Sequence, residues 1–220
     1  MSNVAIDNAA VVPPEGSLGA ALGRRSVVLV GMMGAGKSSI GRRLAGRLGI
    51  PFVDADTEIE KAAGMAIPEI FSAHGEPYFR AGEARVIARL LDSGPQVLAT
   101  GGGAFMNPET RALIGAKGIS IWLRATVEVL ARRIKRRGDR PLLSNGDPVE
   151  ILRRLTEERA PIYAEADVTV ESREVPHDTI VEEIIAGLRA HEHLAGTADP
   201  DAAGDASGHE PENERSGDGP

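Results

Sequence analysis

The chain contains no cysteine. Disulfide cross-links and thiolate metal sites are therefore excluded. Histidine is scarce too. Of the five, His191, His193 and His209 all lie beyond residue 190, so no histidine-built metal site is expected in the body of the chain. Aromatic residues make up 3 % of the sequence. None interleaves with its basic run, as stacking on nucleic-acid bases would need. No apolar run is long enough to span a bilayer. The first 25 residues contain Asp7, Pro13, Pro14 and Glu15, and lack the basic start and apolar block of a secretory signal. These absences lead to the expectation of a cytoplasmic protein without membrane or nucleic-acid partners.

Charge of one sign is missing from most of the chain as well. The formal charge is −7, but residues 191–220 carry eight acidic residues and one arginine. The preceding residues are near neutral. The acidic tail has few large apolar groups and cannot bury enough surface to offset its ordering entropy, so it is expected to be disordered. A length of 220 residues suggests one domain with extensions. The expected division is a disordered extension over 1–25, a domain over 26–190, and the tail over 191–220.

What is present is a phosphate-binding signature. Gly31-Met32-Met33-Gly34-Ala35-Gly36-Lys37-Ser38 matches G-x-x-x-x-G-K-[ST]. Ser26–Val30 before it reads as a buried strand, and Ile40–Leu48 after it as a helix, which is the context the motif requires. Glycines let backbone amides close on a polyphosphate, and the helix N-terminus adds its dipole. Lys37 is expected at the β- and γ-phosphates and the Ser38 hydroxyl on Mg²⁺.

Apolar runs at 26–30, 52–53, 97–99, 119–123 and 168–170 are short and rich in β-branched residues, as strands buried on both faces are. Helical patterns fall between them, at about 37–48, 57–63, 67–73, 76–92, 108–115, 126–136, 148–164 and 178–190. Thr126 and Asp147 stand where helix caps should. Alternation of this kind predicts an α/β protein, a three-layer α/β/α sandwich around a five-stranded parallel sheet. Ligands in such folds bind beyond the carboxyl ends of the strands.

The residues at those ends carry further chemistry. The second strand runs into Asp54 and Asp56, two carboxylates two positions apart that point to one side if the strand continues. Asp54 is the candidate metal-shell carboxylate. Asp56 either faces an acceptor hydroxyl or caps the helix beginning near Thr57. The third strand ends in Gly101-Gly102-Gly103, where the main chain can approach a ligand without Cβ atoms in the way. Arg80 suits an anionic acceptor, because a guanidinium grips a carboxylate through two parallel hydrogen bonds. Glu83, one helical turn on, either forms a surface ion pair with Arg80 or orients it from behind. Arg159 offers a second guanidinium, unless it pairs with Glu157, Glu158 or Glu165. The basic run from Arg132 to Arg140 ends in the turn-rich stretch 138–146. A mobile lid over about 137–147 is the expectation, with Arg140 meeting the transferring phosphoryl group on closure.

Taken together, these elements resemble the shikimate kinase family over about residues 26–190. The P-loop, the D-A-D after strand two, F-R followed by Glu83, the glycine triplet, the R-P-L-L segment at Arg140 and the R-A-P-I-Y segment at Arg159 occur in that family's order. The resemblance implies a P-loop NTPase fold of the nucleoside-monophosphate-kinase type. It also implies ATP-dependent phosphorylation of the 3-hydroxyl of shikimate, with Mg²⁺, by a monomer. It assigns Asp56, Arg80, Gly101, Gly102, Gly103 and Arg159 to shikimate. The nucleotide set becomes Gly34, Ala35, Gly36, Lys37, Ser38, Ser39 and Arg140, with Arg133 and Arg173 near the adenine and Asp54 and Ser38 serving the metal. Lys37, Asp56 and Arg140 become the catalytic groups. Gly82 departs from a good helix former, costs roughly 1 kcal/mol against alanine, and is expected to loosen the support of Arg80.

Among rival readings, a kinase for another hydroxy acid such as gluconate shares the chemistry and fold. A guanine-nucleotide switch needs an N-K-x-D run, and no asparagine here precedes a lysine.

Overall fold

Burial along the strands reveals their places in the sheet. Every residue of β1 (Ser26–Val30) and β3 (Val97–Ala99) is buried, as is all of β4 (Gly118–Arg124) except Arg124. β2 (Phe52–Asp54) and β5 (Val168–Glu171) are only partly covered. In the computed structural model, which describes residues 17–135 and 147–196, the strands are all parallel in the order β2-β3-β1-β4-β5. The two half-covered strands are the edges. Apolar residues on both faces bury the centre, and helices lie on both sides of the sheet as parallel pairing demands.

The helices follow the pattern read from the sequence. They are α1 (Leu18–Ala21), α2 (Lys37–Leu48), α3 (Ala55–Ala63), α4 (Ile67–Asp92), α5 (Pro108–Lys117), α6 (Val127–Lys135), α7 (Pro148–Tyr163) and α8 (His177–Gly196), with a 3₁₀ turn at Ala104–Met106. α2 lies beside α8, which packs on β5, while α5 packs on β4 and against α4. Ile40, Leu44 and Leu48, four residues apart, form the buried stripe of α2. Asn107 and Asp147 cap α5 and α7 with side-chain oxygens.

β1 sits between β3 and β4, so the connection that leaves it runs toward the β2 edge, while the one that leaves β3 crosses to β4, on the other side of β1. This opens a crevice above its carboxyl end. The loop after β1 faces that crevice together with the ends of β3 and β4. At Gly31, φ is +128° and an added Cβ would come within 2.7 Å of the Leu123 carbonyl oxygen. Only glycine lets the loop turn there against the backbone of β4.

Two expectations need correction. The folded unit begins before Ser26: Ser17 caps α1 through Ala20 N–H at 3.2 Å, and Leu22 is buried in the main core. Leu22 joins the core and Leu18 packs against it, which docks this segment. At the other end, α8 continues past residue 190 to Gly196. The helix runs unbroken through Gly82, as the pattern over 76–92 leads one to expect. The backbone breaks at Gly75, with φ of 79° and ψ of 172°, two residues before Pro77 and in the gap between the helical patterns at 67–73 and 76–92. Gly82 has open space where a side chain would project, so the cost there is local propensity and not lost packing.

Candidate active site

The phosphate loop is assembled from backbone. α2 begins on Gly36 with no side-chain cap, leaving its first turn directed at the crevice. Lys37 Nζ donates to the carbonyls of Gly31 (2.6 Å) and Met32 (3.0 Å), folded back along its own loop. Gly34, Ala35 and Gly36 line the turn, and Ser39 follows with its carbonyl accepting from Arg43 at 3.0 Å.

Ser38 Oγ donates to Asp54 Oδ2 at 2.7 Å. The second oxygen of Asp54 accepts the Asp56 amide at 3.1 Å and caps α3. The capping carboxylate is thus Asp54 and not Asp56. α3 starts at Ala55, so Asp56 sits in a helical turn, and the alternation argument for its direction does not apply. Helix geometry brings it to the site by another route, with Asp56 Oδ1 beside Gly101. No group of three His, Cys, Asp or Glu among the described residues is arranged to hold a metal alone. The Ser38–Asp54 pair is an oxygen-only donor set next to a phosphate loop, which suits Mg²⁺ completed by nucleotide oxygens and water.

Beside the loop lies a cavity of about 210 Å³ lined by Met33, Asp56, Phe79, Arg80, Gly101–Gly103 and Arg159, among others. Its size admits only a small ligand. Arg80 is held on two sides. Nη1 donates to Glu83 Oε2 at 2.7 Å, and Nη2 and Nε donate to Glu76 Oε1 at 3.0 and 3.1 Å. The guanidinium also lies 5.1 Å from the Phe79 ring centre. A Cβ on Gly103 would fall 2.6 Å from Arg80 Nη2. Glu83 therefore orients Arg80 from behind, and the pair is no surface ion pair, since Glu83 is 2 % exposed. Burial pushes the Glu83 carboxyl above its ordinary range, Arg80 partly opposes this, and the nearby Asp56 adds to it. Glu83 Oε1 has no hydrogen-bond partner among the described residues and faces Gly101.

Arg159 does not pair with any of the glutamates proposed for it. Glu158 meets Arg154, and Glu165 meets Arg111. Arg159 Nη1 donates to the Gly102 carbonyl at 3.2 Å, beside the Tyr163 hydroxyl, which donates to the same oxygen. Tyr163 closes the R-A-P-I-Y segment, but the sequence assigns it no role. It is 1 % exposed, stacks against Trp122 and Phe105, and burial pushes its hydroxyl up to about 12. Its place in that segment is visible in the sequence, but not its contact with the glycine triplet.

Arg133 lies against the phosphate loop, and burial lowers its pKa, an effect that Glu174 partly offsets. The Arg173 guanidinium is turned onto α8, where it pairs with Glu183. Arg140 and most of the expected lid lie outside the described residues.

A phosphate loop on the central strand, with a small cationic cavity one strand away, is the arrangement of P-loop kinases that phosphorylate small molecules. The comparisons narrow that class. The shikimate kinase family profile matches residues 33–189. A shikimate kinase of Bradyrhizobium diazoefficiens is 67 % identical over 178 residues, 81 % of this chain and 86 % of that protein. One from Rhodopseudomonas palustris is 63 % identical, covering 83 % and 89 %. Among solved structures, a shikimate kinase from Acinetobacter baumannii in complex with shikimate superposes with a TM-score of 0.72 at 37 % identity, over 80 % of this chain and 96 % of that one. The chain belongs to the shikimate kinase family.

Proposed function

We propose that this chain transfers the γ-phosphoryl group of ATP to the 3-hydroxyl of shikimate, giving shikimate 3-phosphate and ADP on the route to chorismate and the aromatic amino acids. The observation that carries the reading is the convergence of two guanidinium groups, Arg80 and Arg159, and one carboxylate, Asp56, on a single small cavity beside the phosphate loop. A ring carboxylate suits the arginines and a hydroxyl suits the aspartate.

The roles follow from position. Gly34 to Ser39 cradle the triphosphate, and Lys37 leaves its own loop carbonyls for the β- and γ-phosphates. Ser38 and Asp54 would hold Mg²⁺, which neutralises phosphoryl charge when bound. Arg80 and Arg159 orient the acceptor's carboxylate against Gly101–Gly103. Asp56 aligns the hydroxyl and accepts its proton as the oxygen attacks γ-phosphorus and the bond to the bridging oxygen of ADP breaks. Positioning and charge stabilisation supply most of the rate. Arg140 is assigned to the transferring group, and Arg133 and Arg173 to the adenine end, by family resemblance. The same resemblance assigns a monomer in the cytoplasm, and its span of about 26–190 lies within a folded unit that runs from Ser17 to Gly196. Sedimentation of the purified chain checks the monomer.

The test is a coupled ADP-release assay with shikimate, gluconate and quinate as acceptors, with the product identified by mass. Shikimate is expected to be the preferred acceptor. Absence of shikimate phosphate from folded protein with ATP and Mg²⁺ overturns the proposal.

A further inference from the structure

A phosphate loop works only if its amides point inward. Its carbonyls then point outward and need partners of their own. Lys37 serves the first two. The carbonyl of Ala35 is served from the far edge of the domain, by the first residue after β5. Ser172 is 2 % exposed, and its hydroxyl donates to Ala35 O at 2.7 Å across 137 positions of sequence. The same hydroxyl accepts from Arg133 Nη1 at 2.9 Å. Its backbone is fixed as well, since Ser172 N–H donates to the Arg124 carbonyl at 2.6 Å. With one bond given and one received, the hydroxyl has no rotational freedom left.

Arg133 reaches the same loop, but weakly. Its Nη1 lies 3.3 and 3.4 Å from the carbonyls of Gly34 and Ala35, at the long end of the hydrogen-bond range. Its Nη2 donates to the Arg173 carbonyl at 2.8 Å. Ser172 makes the short contact to the loop. Because a trans peptide sets C=O and N–H on opposite sides, holding the Ala35 carbonyl outward aims the Gly36 N–H inward, at the mouth of α2.

We infer that Ser172 is a positioning residue for nucleotide binding, fixing the Ala35–Gly36 peptide so that its amide meets the polyphosphate. This role rests on the reading of the loop as the ATP site. It makes the residue that follows the edge strand β5 part of the nucleotide site through one hydroxyl.

Ser26 supplies a matched control. It is fully buried, and its hydroxyl donates to the Gly94 carbonyl at 2.9 Å. It stands at the opposite end of β1 from the loop, so Ser26→Ala loses the same kind of bond away from the site. Both Ser172→Ala and Ser26→Ala are expected to lower the melting temperature. Only Ser172→Ala is expected to weaken ADP binding by calorimetry, and to raise the ATP KM, by about fivefold, the scale of one neutral hydrogen bond. Shikimate binding without nucleotide should not change, and Ser172→Thr, which keeps the hydroxyl, should restore ADP affinity. If Ser172→Ala does not fold, Ser172→Cys, with its weak donor, takes its place. ADP affinity within twofold of the wild type, or an equal loss in Ser26→Ala or in shikimate affinity, overturns the inference. Calorimetry with ADP needs no turnover. A wild type that binds ADP yet makes no shikimate phosphate would sink the acceptor reading and leave this one under test.

Discussion

The phosphate loop and the acceptor cavity touch, yet they are built differently. The loop is backbone, anchored between β1 and α2 on a core that includes Val28, Leu29, Ile40, Leu44 and Leu123. The cavity is lined largely by side chains on α3 and α4, which rest on a separate cluster of Ile59, Ile70 and Phe79 and carry the break at Gly75. One region is fixed by close packing, while in the other Arg80 is held by ion pairs to Glu76 and the buried Glu83. Polyphosphate is recognised by amides that any sequence supplies once the turn is made. A particular acceptor needs particular charged groups.

The sharpest way to break this contrast is at Lys37, the charged side chain of the backbone-built region. Lys37→Ala is expected to lower kcat by about 10³-fold, the upper end for removal of one electrostatic stabiliser, with an unchanged circular dichroism spectrum. Equal kcat in mutant and wild type would refute the loop's role. Next comes Asp56→Asn, expected to cost about 10²-fold in kcat, as loss of a proton acceptor does. Steady-state kinetics showing only a two- or threefold drop would reduce Asp56 to a spectator.

A pair of glycine substitutions then compares the regions directly. Gly31→Ala meets the Leu123 backbone and an unfavourable φ. It should destabilise the whole fold by about 2–3 kcal/mol, the cost of overpacking where nothing can yield. Gly103→Ala meets the Arg80 guanidinium, the end of a flexible chain. It should leave chemical denaturation nearly unchanged and raise the shikimate KM about tenfold, the order of a lost charge-assisted hydrogen bond, while the ATP KM stays put. A matching stability loss in both variants would erase the distinction. The smallest effect is expected at Gly82→Ala, which fills open space on a regular helix and should add about 1 kcal/mol of stability. A loss of stability in urea melts would show that Gly82 has a packing role the open space conceals.

Much of this was legible beforehand, for identifiable reasons. The phosphate loop is local: eight consecutive residues and their flanks determine it. Strands buried on both faces announce themselves as short apolar runs, and five of them were placed correctly. The acceptor cavity was legible only as parts. Arg80, Gly102 and Arg159 are distant in sequence, and the reading kept a surface ion pair open for each arginine. Asp54 and Asp56 were assigned by strand alternation, but an aspartate cap ended the strand and began the helix earlier. The contacts of Tyr163 and Ser172 carry no local signal, since neither the tyrosine of the R-A-P-I-Y segment nor a serine after a strand announces its distant partner.

The sequence by itself determined the elements and the chemistry of the loop, because turn geometry and hydrophobic period act over neighbouring residues. The tertiary structure decided which residues far apart in the chain share an environment. It buried Glu83 behind Arg80, carried Arg159 to Gly102, and brought Ser172 to Ala35. Such pairings depend on the order of strands in the sheet, which packing of the whole chain selects and no short stretch encodes.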